Sequence, residues 1–442
     1  MNYLISTIQH NALVNKNLLR NMLLFADNHN VQKIYLYVMP GKYKDETLLP
    51  TFEDERIELL YLGKDGKKLN SNLKLHDTKI LASQIIQTTG FQSKLHRDYS
   101  YILPGTKRAF ISLPNTSTHP RFLATTGALT HGNYKDGSKG PANAQGMKAA
   151  IMHQYGFVYV KVKNSRIFYA HQMPVLKNGN FNYARECYKN GKMYDEQPEA
   201  LILGDWHCGM TCEKTRKRTM IMLDQMKPKR AVWHDMMDGR SVNHHEQDDS
   251  LSRAYLYQDQ RQSLEQEVKE CLAELNYFAK KYPDIQFFVA ESNHDLFIRR
   301  YLGEGMFLKD GQNFFFACEL VSKMKYKGHQ PILQTAMELV GEVADNVTFW
   351  GEDEEYRVSG VLLSAHGHRG VNGARGSGKS FSNNNLKQIT AHEHSPSIHP
   401  NGMVVGTSTI LRQPYMKGPS SHMNAHGILY KSGCHTLLPI VH

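Results

Sequence analysis

The sequence predicts an α/β protein built from two regions. Beyond residue 200, short apolar runs rich in β-branched and aromatic residues alternate with segments whose apolar residues recur at helical spacing. A polar stretch at 177–198 carries two Asn-Gly pairs, which are turn signals typical of a domain boundary. At 442 residues the chain is also longer than one ordinary domain. We therefore expect a separate amino-terminal α/β domain at 1–195 and a second domain at 196–442.

The amino-terminal region shows helix and strand signals but no dense cluster of ligand-type residues. Apolar residues at 17–28 have helical spacing, and those at 33–38 alternate as in a strand. Further strands are expected at 57–62, 109–113 and 156–162. The loop 125–148 is rich in small and basic residues, so it could contact phosphates or simply be a solvated loop. The whole domain could serve DNA binding or oligomerisation.

In the second region strands and helices follow each other closely. Residues 215–225 are expected to form a helix, and 250–281 a long amphipathic one that ends before Pro283. A strand at 285–290 then begins at once. Connections of this kind place helices on the faces of a sheet and ligand-bearing loops at its carboxyl edge.

Composition favours an acidic partner. The formal net charge is +11 and the isoelectric point is near 9.1, with 23 histidines as a further titratable reserve. Nucleic acid is the partner that this balance suggests, although a large protein can be basic without binding DNA, because charge governs association and not fold.

The cysteines and apolar runs favour a cytoplasmic protein. The six cysteines are scattered, and the first residues lack the basic start and apolar core of a secretory signal. Cys208 and Cys212 have no second Cys or His pair at zinc-site spacing, so we interpret them as loop or core residues. No apolar run reaches the roughly 18 residues of a membrane span. We expect reduced thiols and no membrane contact.

Five apolar runs end in acidic, amide or histidine residues. In the first of them Asp205 and His207 are two residues apart, so both side chains project from one side of an extended strand end. One such strand end means little, but five in order suggest a single site. The five stretches are 201–207, 231–238, 286–295, 361–368 and 389–396.

Hydrolysis of a phosphate ester needs charge neutralisation and a deprotonated water, which two metal ions about 3.5–4 Å apart supply. The five stretches contain the carboxylates, amide and imidazoles that such a pair requires. Their order resembles the five blocks of calcineurin-like metallophosphoesterases, over about residues 200–442. The resemblance implies a β-sandwich flanked by helices.

The resemblance also implies a ligand set. One ion would be held by Asp205, His207 and His394, and the other by Asn293, His366 and His392. Asp235 would bridge the two ions together with a water or hydroxide. Mixed carboxylate, amide and imidazole ligands suit Mn²⁺ and also accept Mg²⁺, Fe²⁺ or Zn²⁺, so the native pair stays open.

Further residues receive catalytic roles from the same resemblance. His294 would stay off the metals and act on the leaving oxygen as a general acid, with Asp295 orienting its imidazole. Asp238 and Arg240 would support the ligands or face the phosphate.

The sequence departs from the family's blocks at three positions. His234, Ser292 and Ala391 stand where glycine is common, so the loop backbones could run differently although every ligand type is present. His234, His244 and His245 crowd the same region, where a structural or substrate-contacting role is expected as much as metal ligation. We include His245 among the candidate substrate-binding residues.

Residues 373–380 read Gly-Ala-Arg-Gly-Ser-Gly-Lys-Ser, which satisfies the pattern of a nucleotide-binding phosphate loop. That loop works only between a strand and a helix, whereas the residues before it are loop-like and directly follow a predicted ligand. We therefore reject nucleotide hydrolysis by this loop. Arg375, Lys379 and Lys387 are expected instead to contact phosphates.

Fold alone does not fix the substrate, since the family hydrolyses phosphomonoesters, phosphodiesters, cyclic nucleotides and DNA. The charge, the basic loop at 373–387 and the large amino-terminal region favour DNA. The tail from residue 406 and residues 240–245 resemble the branch carried by tailed bacteriophages, which includes a DNase that degrades host DNA. We predict a DNase acting in the cytoplasm of an infected host.

Two alternatives remain open from the sequence. A phosphomonoesterase or protein/nucleotide phosphatase would keep the same metal residues but lack salt-sensitive DNA binding. A non-catalytic nucleic-acid-binding protein would be expected to have lost a ligand or the acid. The mode of cutting, the strand preference and the number of subunits are undecided, and a homo-oligomer could form through the 250–281 helix or the amino-terminal domain.

Overall fold

The structure is a computed structural model. It describes residues 1–41, 48–96, 98–116, 119–135, 141–244, 249–327, 330–381, 386–412 and 418–441. Among these residues no helix combines the length and the apolar character that crossing a membrane requires.

Described elements of the amino-terminal region are mostly strands. The strands are β1 (Asn2–Gln9), β2 (Lys33–Met39), β3 (Ile57–Tyr61), β4 (Lys67–Asn70), β5 (Leu73–Leu75), β6 (Ser100–Leu103), β7 (Phe110–Leu113), β8 (Arg121–Thr125), β9 (Gly156–Val162), β10 (Phe168–Pro174), β11 (Phe181–Tyr183), β12 (Glu186–Lys189) and β13 (Lys192–Asp195). The helices are α1 (Lys16–Asn28) and α2 (Pro141–Ile151).

Described elements of the remaining chain alternate more evenly. The strands are β14 (Ala200–Ile202), β15 (Arg230–Trp233), β16 (Gln286–Ala290), β17 (Val347–Trp350), β18 (Arg357–Val358), β19 (Val361–Leu362), β20 (Gln388–Thr390), β21 (Ser397–Ile398), β22 (Gly402–Val404), β23 (Ala425–Leu429) and β24 (His435–Pro439). The helices are α3 (Glu213–Met226), α4 (Ser250–Gln258), α5 (Leu264–Lys281), α6 (Asp295–Gly303), α7 (Phe314–Lys327), α8 (Ile332–Val340) and α9 (Gly378–Phe381).

A six-stranded sheet in the order β17-β16-β15-β14-β23-β24 forms the centre of the described second region. Its strands are buried on both faces, so alternate side chains enter different cores. Trp233 belongs to a core that includes residues of α3, α5, α6 and α8 on one face, whereas its neighbour Val232 belongs to a core shared with a second sheet on the other. This arrangement confirms the predicted α/β class.

The second sheet crosses the predicted domain boundary at residue 195. Its ten described strands run β18-β19-β20-β22-β21-β7-β8-β6-β5-β4, so it takes strands from both regions. The junction is the antiparallel pair of β21 with β7, in which Ser397 lies opposite Ile111 and Ile398 opposite Phe110. The amino-terminal region is therefore not separate from the rest of the chain, as we had expected it to be, because backbone hydrogen bonds and one apolar core join the two regions.

Five of the remaining strands of the amino-terminal region form a third sheet, and β11, β12 and β13 form a small sheet of their own. A five-stranded sheet has the order β10-β9-β1-β2-β3, and α1 packs on one face of it through Leu18, Met22 and Phe25. Asn15 caps α1 by accepting a hydrogen bond from the backbone N–H of Leu18 at 3.0 Å. The helix and strands predicted here lie within a residue or two of their observed bounds.

Two predicted segments differ in the structure. Residues 250–281 form two helices, because Gln260 adopts a left-handed φ of 56° and Ser263 caps a new helix by accepting from the N–H of Gln266. The predicted loop 125–148 includes the first residues of helix α2, and its Thr126 is buried against Thr7 with 2.7 Å between their hydroxyl oxygens.

Candidate metal centre

The strand ends converge at one edge of the paired sheets. β14, β15 and β16 are parallel neighbours in the six-stranded sheet, so Asp205, Asp235 and Asn293 follow them at the same edge. In the ten-stranded sheet the parallel pair β19 and β20 delivers His366 and His392 to the same place. The chain order of the five stretches therefore becomes a single cluster in space.

Several of these residues adopt a backbone conformation that side chains usually avoid. His207, Asp235, His392 and His394 have φ values of 46°, 43°, 74° and 54°, all in the left-handed region. Such strain concentrates at functional sites where surrounding structure holds it. Here the N–H of His392 donates to Asp205 Oδ2 at 2.9 Å, which ties two of the loops together.

One half of the cluster joins three of the predicted ligands to Asp235. His207 Nε2 lies 3.1 Å from His394 Nε2, and His394 Nε2 lies 3.3 Å from Asp205 Oδ2. The Oδ2 atom of Asp235 is 3.6 Å from His207 Nε2. The ligand atoms of His207, Asp235 and His394 all lie within 4.8 Å of one another, which is a spacing that a metal ion could bridge.

The other half uses the same carboxylate oxygen. His366 Nε2 lies 3.0 Å from Asn293 Oδ1 and 3.3 Å from Asp235 Oδ2. The His392 ring lies beside it, with 5.3 Å between the ring centroids. Asp235 Oδ2 thus lies between the two halves, as a shared ligand would.

Burial makes this arrangement costly without a cation. Asp205 and Asp235 are at most 1% exposed, and His366 is 3% exposed. Asp205 Oδ1, Asp235 Oδ1 and His366 Nδ1 have no hydrogen-bond partner in the described structure. Buried carboxylates without such partners are strongly destabilising unless a positive charge compensates them. The buried His and Asp groups therefore fit a site that could bind metal ions.

The pKa values of the clustered residues also show the effect of burial and of the neighbouring charges. Burial and the nearby Asp235 raise the pKa of Asp205 to about 7. Burial would also raise the pKa of Asp235, but the imidazoles of His366 and His294 hold it well below its ordinary value. Burial lowers the pKa of His392 to about 4, and that of His394 well below its ordinary value. Both imidazoles are therefore neutral near pH 7, as metal binding requires.

His294 lies at the mouth of the cluster, next to the first turn of α6. Its Nδ1 lies 2.5 Å from the carbonyl oxygen of Asp238, and its ring centroid lies 4.6 Å from that of His207. The Asp295 carboxylate instead accepts a hydrogen bond from the N–H of Ser292 at 2.9 Å. The orienting contact that we expected from Asp295 is therefore made by the Asp238 backbone, because Asp295 begins the helix and faces its own loop.

Asp238 contacts the centre through its side chain as well. Its Oδ1 lies 3.0 Å from His207 Nδ1. Burial lowers the pKa of His207, but this carboxylate outweighs burial and raises the pKa to about 9. Burial would raise the pKa of Asp238, but the His207 imidazole, with smaller contributions from His294 and Arg240, holds it below its ordinary value. Asp238, which we expected to support the ligands or face the phosphate, thus lies beside the predicted ligand His207.

An open cleft of about 760 Å³ leads to the centre. Arg375 lies on its wall, as predicted, whereas Lys387 is exposed and is not among the described lining residues. His245 and the side chain of Lys379 lie outside the described residues. The described lining residues are Asp235, Asn293, His294, Arg375, Gly376, Ser377, His392, Glu393, His394, Ser395, Ser421 and His422.

The segment 373–380 is not a phosphate loop. Its helix α9 has four residues, and the N–H of Gly378 at its start donates to Glu393 Oε2 at 2.9 Å. A protein carboxylate therefore occupies the place where a nucleotide phosphate would bind. Instead the segment forms one wall of the cleft through Arg375 and Ser377.

Several residues near the centre were not predicted as site residues. Glu393 stands between two ligand histidines in the sequence, which was the available signal. His422 packs against His394 with 4.9 Å between ring centroids, but it comes from a distant loop that no motif marks. His368 Nε2 lies 2.6 Å from Glu352 Oε1 at the edge of the site. His234 is fully buried behind His366, with 5.6 Å between ring centroids.

Comparison with known proteins links the chain to a bacteriophage. It is 26% identical over 337 residues to Protein A1 of Escherichia phage T5, in an alignment that covers 72% of this chain and 58% of that protein. The chain thus spans less than two thirds of its relative's length. No family model and no solved structure matches the chain. The chain is therefore similar to a phage protein.

Proposed function

We propose that the protein is a metal-dependent phosphodiester hydrolase with the calcineurin-like metallophosphoesterase fold, and that its substrate is DNA. The observation that carries the proposal is the position of Asp235 Oδ2, which lies 3.6 Å from His207 Nε2 and 3.3 Å from His366 Nε2. A buried carboxylate between two sets of imidazole-containing ligands is the arrangement that a dinuclear centre needs.

The residues present fit two divalent cations. Asp205, His207 and His394 would hold one, Asn293, His366 and His392 the other, and Asp235 both. When bound, the cations would neutralise charge on the phosphoryl group and lower the pKa of the attacking water. The ligand types suit Mn²⁺ best, and Mg²⁺, Fe²⁺ and Zn²⁺ are the alternatives.

The protein's own contribution to bond cleavage centres on His294. With Nδ1 donating to the Asp238 carbonyl, the ring presents its Nε2 edge to the leaving oxygen, to which a protonated imidazole would transfer a proton. Burial lowers the pKa of His294 in the free protein. The negative charge of an arriving phosphodiester would raise it again.

Three observations support DNA as the substrate. The net charge of +11 favours a polyanion, Arg375 lies on the cleft wall to contact a phosphate, and the relative is a phage protein. Arg240, His245 and Lys379 are further proposed phosphate contacts. The cytoplasm of an infected bacterium is the proposed place of action, and a homo-oligomer is compatible with the proposal.

The test compares two substrates in parallel. Supercoiled plasmid and a chromogenic phosphomonoester are each incubated with the protein and Mn²⁺, and again with a chelator. The proposal expects metal-dependent plasmid cutting with little ester hydrolysis. Asp235→Asn should abolish cutting, whereas Asp345→Asn, which changes an exposed aspartate, should not.

Other outcomes identify the alternatives. Strong hydrolysis of the chromogenic phosphomonoester, while the plasmid stays intact, would indicate a phosphatase that uses the same residues. DNA binding that falls with salt, without hydrolysis of either substrate under any metal, would indicate a nucleic-acid-binding protein.

A further inference from the structure

A second large cavity lies between the amino-terminal region and the rest of the chain. Its volume is about 570 Å³, within the range of small-molecule sites. It is formed by β9 and β10, the turn after β11, helix α3 and the carboxyl-terminal strand β24. It shares no described lining residue with the metal cleft.

The charged groups of this cavity all have one sign. Lys161, Lys163 and Arg218 line it, and no aspartate or glutamate is among its described lining residues. None of the three cations forms an ion pair with a described residue, although many other basic side chains of the protein do. Lys161 and Lys163 are two residues apart and therefore project on the same side, while Arg218 approaches from α3. An anionic group would complement them.

The rest of the wall is aromatic and apolar. Tyr159, Tyr169 and Tyr183 line the cavity, and the rings of Tyr159 and Tyr183 meet edge to face with 5.7 Å between centroids. Tyr169 is partly exposed, whereas the Tyr183 ring also packs against His171 with 5.7 Å between centroids. Met173 and Leu438 complete an apolar floor. A flat aromatic group would pack well here.

We propose that this cavity binds a nucleoside monophosphate. Its base would lie against the tyrosine rings, and its phosphate would lie among Lys161, Lys163 and Arg218. The combination of aromatic faces with cations is the one that proteins use to bind nucleotides without reading base edges. Because the cavity is separate from the metal cleft, the proposal does not depend on the proposed hydrolytic activity.

Calorimetric titration of the full chain with AMP tests the proposal, in excess chelator so that no metal ion recruits phosphate to the cleft. We expect AMP to bind, and adenosine or inorganic phosphate alone to bind at least about tenfold more weakly. Arg218→Glu should weaken AMP binding by about tenfold or more. Lys214→Glu, on an exposed position of the same helix, should leave it unchanged.

Two further variants keep the outcome interpretable. Lys161→Glu changes an exposed strand residue and should weaken binding in the same way if Arg218→Glu fails to fold, as judged by thermal unfolding. Arg375→Glu, in the metal cleft, should have no effect. The proposal would be overturned if AMP does not bind, or if the folded Arg218→Glu and Lys161→Glu proteins bind AMP as tightly as the wild type. Loss of AMP binding in Arg375→Glu would also overturn it. Equally tight binding of a fatty acid would do so too.

Discussion

The Oδ2 atom of Asp235 lies 3.6 Å from His207 Nε2 and 3.3 Å from His366 Nε2, so it has an imidazole nitrogen from each half of the centre beside it. Its neighbours His207, His366 and His394 come from three different loops, so the position of Asp235 depends on the whole edge of the paired sheets. His294 stands apart from them, because its Nδ1 is engaged by the Asp238 carbonyl at 2.5 Å. At the scale of residues, metal binding and proton transfer should therefore be separable by mutation.

His294→Ala should bind metal as the wild type does but lose about 10²–10⁴-fold in the rate of plasmid cutting, because only a proton donor is removed. Metal content by mass spectrometry and nicking assays measure the two effects. His96→Ala, which alters a histidine with a 75% exposed side chain, is the control. Full activity in the His294 variant would exclude it as the acid.

Asp238→Asn should weaken Mn²⁺ binding by about 10–100-fold, because the carboxylate holds His207 Nδ1 at 3.0 Å and orients its Nε2 toward the centre. Titration of the metal-free protein with Mn²⁺ gives the affinity, with Asp345→Asn as control. An unchanged affinity would mean that His207 is oriented by its backbone alone.

The sequence predicts the site residues that follow strands, but not those that reach the site from loops without a motif. The seven predicted metal ligands are found together because each directly follows a strand, and strand order fixes where strand ends lie. His422 reaches the cleft from a loop that no motif marks, and the contact of His294 with the Asp238 carbonyl involves main-chain atoms. Neither has a side-chain signal that a sequence could show.

At the scale of elements, helix α5 stabilises the loop that carries Asp238. Glu267 of α5 accepts hydrogen bonds from the Ser241 hydroxyl at 2.6 Å and from the N–H groups of Ser241 and Arg240 at 3.2 Å each. Glu267 is partly buried, and burial, followed by the charge of Asp238, raises the pKa of Glu267 to about 7.

This raised pKa gives a pH dependence of known sign. Since the folded protein holds the Glu267 proton more tightly than the unfolded chain, its contribution to the free energy of unfolding is present below about pH 4.5 and lost as pH rises through 7. Glu267→Gln should reduce the fall in stability between pH 5 and pH 8.5 by roughly 2 kcal/mol. Urea denaturation measures it. Glu265→Gln, which changes a side chain that is 46% exposed on the same helix, should leave the pH dependence unchanged, and an equal effect of both variants would contradict the argument.

Local sequence patterns predict single helices and strands, but not where a helix breaks or which strands pair. The helical spacing at 250–281 predicts one long helix, but the chain forms two, because the break at 259–263 depends on a left-handed Gln260 and a capping Ser263 that single-residue preferences only weakly indicate. The pairing of β21 with β7 joins residues almost 300 positions apart. Periodicity describes one strand at a time and does not identify its partner.

For the whole molecule, the shared sheet predicts that the two regions fold together. Residues 196–442 expressed alone would expose the edge of β21 and the apolar face that meets β6, β7 and β8. We expect this fragment to be insoluble or to lack a cooperative unfolding transition by circular dichroism, unlike the full chain. A soluble fragment that unfolds cooperatively and cuts DNA would show that the amino-terminal region is an independent domain.

The central claim is that the converging strand ends form a dinuclear metal centre. A crystal structure of the protein grown with Mn²⁺, with anomalous data collected at the manganese edge, tests it most directly. We expect two anomalous peaks about 3.5–4 Å apart on either side of the Asp235 carboxylate, and loss of at least one of them in Asp235→Asn. An absence of peaks beside Asp235, or a single ion unaffected by the substitution, would contradict the account.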